Sequence, residues 1–152
     1  MAHVIRLASL LPLALLSACG GTATQPTPET VGDVSLHVTG GFTGWDRTVV
    51  VAADGTITYS AAHGPSPAAP GTRKLDGGTL ARLHQLVSDP AFANLEAEYT
   101  PPPGGADLQR YAVTAKVGDR TLSTATWDGA STPQILHDVI AVLAGILPST
   151  VT

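Results

Sequence analysis

The chain of 152 residues holds a single cysteine, Cys19. One thiol cannot close an intrachain disulfide and cannot build a cysteine-based metal centre. Its five histidines, His3, His37, His63, His84 and His137, are not spaced as ligands on one helical face, and no H-E-x-x-H run occurs. No metal site is expected. The serines sit in neither a G-x-S-x-G elbow nor an S-x-x-K pair. Glu96 and Glu98 stand two apart near a helix end, where solvated carboxylates are common, so no catalytic residues are assigned and no enzyme is expected. Basic residues are scarce: 8 Lys and Arg against 12 Asp and Glu, a formal charge of −4, which gives no basis for nucleic-acid binding. The longest apolar stretch, Leu7 to Leu16, falls well short of the roughly 20 residues needed to span a bilayer. Nothing calls for a cofactor.

What is present at the start of the chain is an order. Arg6 precedes the apolar stretch, and small residues follow it, the layout of a secretory signal. Leu16-Ser17-Ala18-Cys19 resembles the bacterial lipobox. That resemblance implies cleavage before Cys19, a diacylglycerol thioether on its sulfur and acylation of the new amino group. Residues 1–18 are read as a lipoprotein signal peptide and Cys19 as the lipidation site. The protein is then anchored to a membrane in the cell envelope, on the outer side of the cytoplasmic membrane or in the outer membrane. Gly20 is not the aspartate linked with inner-membrane retention. An alkylated sulfur is no longer a nucleophile or a ligand. Cleavage removes Arg6 and no acid, so the formal charge moves from −4 to −5.

Residues 19–32 form a Thr/Pro-rich linker with almost no apolar content. A flexible coil of about a dozen residues reaches roughly 20 Å. Residues 33–152 are read as one domain, large enough to bury a core without staples.

Within the domain, Val34, Leu36 and Val38 alternate with polar residues as in a half-buried strand. A glycine-rich break, Gly40 to Asp46, leads to a valine-rich strand, Arg47 to Ala52. Asp54-Gly55 signals a tight hairpin into Thr56–Ser60. His63 to Gly71, with three prolines, is expected as a loop. Leu80, Leu83, Leu86 and Val87 recur at helical spacing, with Asp76 or Thr79 as cap and Pro90 as stop. Thr100–Asp107 is a second irregular loop. Tyr111–Val117 and Arg120–Trp127 alternate across a Gly118-Asp119 turn. Thr132 as cap and Pro133 at the first helical position open a last helix with a broad apolar stripe from Ile135 to Leu147. This order predicts an α+β domain: an antiparallel sheet of about five strands with two helices packed on one face.

The glycine-rich break does not match a phosphate-binding loop, since a strand follows it rather than a helix N-terminus. It carries two bulky aromatics, Phe42 and Trp45. Aromatics on exposed loops are typical binding anchors, although Trp45 has the alternative of folding back as a lid on the sheet.

These residues resemble a family. Thr39-Gly40-Gly41-Phe42-Thr43-Gly44 followed by a valine strand, Pro90-Ala91-Phe92-Ala93-Asn94-Leu95 after the first helix, Asp107 to Tyr111, and the terminal helix from Pro133 to Leu147 are similar to emfourin-like proteins. These are small inhibitors of thermolysin-like zinc metalloproteases. The likeness covers most of residues 34–147; the lipoprotein signal and the longer Pro-rich segment, His63 to Gly71, depart from it. It implies an inhibitor of such a protease. The loop composition then makes Phe42 the anchor for an apolar pocket, with Gly41 and Thr43 flanking it, Trp45 beside it, and Asp46 directed at the metal or at an active-site arginine of the target. The acylated N-terminus is not free to act as a zinc ligand, so the inhibitory surface has to lie within the domain. The other expectation is a non-catalytic envelope lipoprotein that binds a different protein partner through its loops.

Overall fold

The computed structural model describes residues 29–63 and 73–147. Cys19, the signal peptide, most of the linker and most of the Pro-rich loop lie outside the described residues. Seven strands form one sheet: β1 (Val31–Gly40), β2 (Trp45–Val51), β3 (Thr56–His63), β4 (Arg73–Lys74), β5 (Glu98–Tyr99), β6 (Gln109–Val117) and β7 (Arg120–Trp127). The helices are α1 (Gly77–Ser88), α2 (Pro90–Ala93) and α3 (Gln134–Ala144). Strand order is β4-β3-β2-β1-β6-β7-β5.

The α+β class holds. The five long strands pair antiparallel as expected, and their register sets the two faces. Tyr59, Val49, Leu36, Val113 and Thr124 form one transverse row. Ile57, Val51, Val34, Ala115 and Leu122 form the next. These rows bury against Leu83 and Val87 of α1, Phe92 of α2, and Leu136, Val139 and Leu143 of α3 in one core. The residues between them, Ser35, His37, Thr48, Val50 and Thr114, are half-buried at most and face away from the helices.

Val31 and Gly32, read as the end of the linker, open β1, with Val31 buried in the core, and β2 begins at Trp45 rather than Arg47. Three further details differ from expectation. The sheet gains two-residue strands at both edges, and β5 pairs parallel to β7, which makes the sheet mixed. Two residues carry no readable periodicity. Pro90 ends α1 but also starts α2, with the Asp89 carboxylate accepting from the Ala91 amide at 2.7 Å. A proline is favoured at a helix start, because its missing N–H has no partner there to lose. Finally, Thr132 does not cap α3. Pro133 holds the cap position without a side-chain bond, and Thr132 Oγ1 instead lies 2.6 Å from His137 Nε2. For α1 the cap is Asp76, whose carboxylate accepts from the Thr79 amide at 3.0 Å.

Three exposed carboxylates carry the acid sensitivity of the fold. The Thr56 amide, then Lys74, hold Asp54 well below the usual carboxylate range. Thr79 lowers Asp76, and Arg110 followed by Trp127 lowers Glu98. A folded-state value below the unfolded one stabilises above the unfolded value and is lost as pH falls toward the folded one. Stability is therefore expected to be flat from neutral pH down to about 5 and to drop below about 4. Denaturant titrations across that range should show a shallower drop in Asp54→Asn. An unchanged drop would remove Asp54 from this role.

Candidate functional site

Strand β1 runs the height of the sheet, about 30 Å for ten residues at roughly 3.3 Å each. The chain enters it at the pole that holds the β2–β3 and β6–β7 turns. The β1–β2 turn, the β5–β6 loop and the β7–α3 connection gather at the other pole.

The β1–β2 turn is the projecting feature there. Gly44 N–H donates to the Gly41 carbonyl at 3.0 Å, closing a β-turn with Phe42 and Thr43 at its centre. Both central residues keep negative φ; the positive angles fall on Gly40 (87°), Gly41 (74°) and Gly44 (61°). Phe42 is 89% exposed, the only large hydrophobic side chain so placed among the described residues. Gly41 N–H donates to the Leu108 carbonyl at 3.1 Å and ties the turn to the β5–β6 loop. A Cβ on Gly40 would sit 2.6 Å from that carbonyl oxygen. Gly40→Ala is expected to destabilise by about 2–3 kcal/mol, from left-handed strain plus this clash. Gly44→Ala, whose added carbon meets nothing within 4 Å, should cost about 1 kcal/mol. Equal costs in denaturant unfolding would show that the Leu108 contact does not constrain the turn.

The five residues of the anticipated site do not form one patch. Gly41, Phe42 and Thr43 stay together on the turn. Trp45 folds back onto the sheet, where its ring carries the Arg47 guanidinium 3.7 Å from its centroid. Asp46 turns to the opposite face and bonds His37 Nε2 at 2.8 Å. Strand alternation causes the split: neighbours at positions 45 and 46 must point to opposite sides.

A shallow recess of about 440 Å³ opens beside β5, lined by Glu96, Glu98, Tyr99, Pro101, Pro102 and Ser131 among others. Glu98 Oε1 accepts from Arg110 Nε and from Trp127 Nε1, each at 3.0 Å. Among the described residues no three His, Cys, Asp or Glu side chains converge as metal ligands. His84 is half-buried on α1, and His63 ends β3 in exposed surroundings.

Two residues of this pole, read from the sequence only as strand positions, were not expected at the site. Arg47 lies in the same transverse row as Val38 and Tyr111, on the helix side of the sheet. Tyr111 donates its hydroxyl to Gln109 Oε1 at 2.8 Å, and burial followed by the charge of Asp128 pushes its own proton affinity up. Asp128 in turn accepts from the Gln109 amide at 2.9 Å. The signal was present, since Arg47 alternates in phase with Val49 and Val51, which places a cation on the apolar face. No family model matches the chain, and no curated protein matches it.

Proposed function

We propose that this chain is a membrane-tethered proteinaceous inhibitor of thermolysin-like zinc metalloproteases, held by lipid on Cys19 and acting through the Phe42 turn. The observation that carries the reading is the exposure of Phe42 at the tip of a short, glycine-bracketed turn. A phenylalanine left in water has apolar surface to bury, about 25 cal/mol per Å², only when a partner receives it. The glycines on either side let a partner's backbone approach closely. A pocket that takes a bulky apolar side chain fits this projection. The Gly41 to Leu108 bond limits how far the turn can bend toward an attacking water.

The two poles suit a tether. The linker enters β1 at one end of the sheet and Phe42 stands at the other, so the point of attachment leaves the turn uncovered. Confinement near the surface raises the local concentration of the domain. A second reading, an envelope module with a non-protease partner, draws on the recess beside β5, which lies at the same pole as Phe42. Titrating the chain from Gly20 onward against a thermolysin-like protease, with a small peptide substrate, separates the two. Tight inhibition with the domain left uncut supports the inhibitor. Digestion, or no inhibition, leaves the binding module.

A further inference from the structure

Seven cations fall among the described residues, and Arg47 stands apart from the rest. Lys74, Arg82, Arg110 and Arg120 each pair with a carboxylate, at distances from 2.8 to 3.5 Å. Arg73 and Lys116 are exposed. Arg47 is partly buried in a row with Ala61, Val38 and Tyr111, and no carboxylate of the described residues pairs with it. Its Nε is shut off from water with no hydrogen-bond acceptor among the described residues. An orphaned donor in such a place costs free energy. The face of Trp45, 3.7 Å from the guanidinium carbon, returns part of this through a cation–π contact. Asp128, an acid that also acts on Tyr111, is engaged with the Gln109 amide.

We infer that Arg47 is the receptor for a carboxylate carried by the protein that Phe42 engages. Trp45 covers one face of the guanidinium and the protein closes its Nε side. The two terminal nitrogens make no hydrogen bond among the described residues, and together they form a fork matched to a carboxylate. Trp45 lies beside the turn: a Cβ added to Gly41 would come to 3.4 Å from its ring. The apolar anchor and the cation thus stand on the turn and on the strand that leaves it, and the partner surface they fit is an apolar pocket with an Asp or Glu at its rim. This inference rests on the Phe42 pole being a protein-binding surface, but the carboxylate site itself is testable without any partner.

The test uses the ¹⁵N-labelled chain from Gly20 to Thr152, titrated with sodium acetate and, in parallel, sodium chloride at equal ionic strength. The Arg47 Nε–H and Trp45 indole N–H resonances should move saturably with acetate and not with chloride. In Arg47→Met, a side chain of similar length that removes the orphaned donor, folding stability should be kept or raised, and the Trp45 shift should vanish. Arg47→Lys keeps the charge without the fork and should retain only part of it. No acetate-specific movement in the parent chain overturns the inference, as does a destabilised Arg47→Met that still shows the Trp45 shift. Against a thermolysin-like protease, Arg47→Met should inhibit about 10- to 100-fold more weakly, as for a lost charge-assisted hydrogen bond. Acetate binding without inhibition would sink the protease reading and leave the carboxylate site standing.

Discussion

Phe42→Ala should weaken inhibition of a thermolysin-like protease by at least about 30-fold, because a buried aromatic anchor of an interface is worth about 2 kcal/mol or more. The same substitution should leave folding stability within about 0.5 kcal/mol, since an 89% exposed side chain contributes almost nothing to the core. The separation of the two effects is the diagnostic. Truncation of a side chain that helped the fold would lower both. Phe42→Leu should recover part of the lost inhibition, as it restores apolar volume without the ring. An inhibition constant unchanged in Phe42→Ala, measured with a peptide substrate and an intact domain, would take Phe42 out of the interface. The turn would then have a purely structural role, and the recess beside β5 would become the leading contact surface.

Leu36→Ala should cost about 3–5 kcal/mol, a large share of the 5–15 kcal/mol by which a domain is ordinarily stable. Leu36 sits in the central strand with no exposed surface, between Val49 and Val113 in register. The helices lie over it, so the cavity left by truncation has little means of collapse. Val50→Ala is the matched control. Val50 belongs to the adjacent strand but points to the open face, where it is half-buried. Its truncation should cost less than about 1 kcal/mol. Chemical denaturation of both variants reads out the asymmetry of the sheet. Similar losses for the two would mean that the second face is covered as well, which would conflict with a one-sided core.

The candidate site was legible only in part. The turn was readable because three glycines and an unshielded phenylalanine are local signals, and local signals need no tertiary partner. The roles given to Trp45 and Asp46 required knowing where β2 begins. Once the strand starts at Trp45, alternation sends the two side chains to opposite faces. Trp45 takes the lid position over Arg47, and Asp46 is committed to His37.

By its own patterns the sequence determined the α+β class, the five long strands, the two main helices and the core residues on them. Those features follow from periods of two and of about 3.6, repeated over enough residues to be unmistakable. Only the tertiary structure decided the two-residue edge strands, the parallel pairing of β5, the pole at which the loops meet and the isolation of Arg47. Each depends on contacts between residues far apart in the chain, such as Gly41 with Leu108, Glu98 with Arg110 and Trp127, and Arg47 with Val38 and Tyr111. Local periodicity carries no information about such contacts, because they are set by strand register and by how the helices close one face of the sheet.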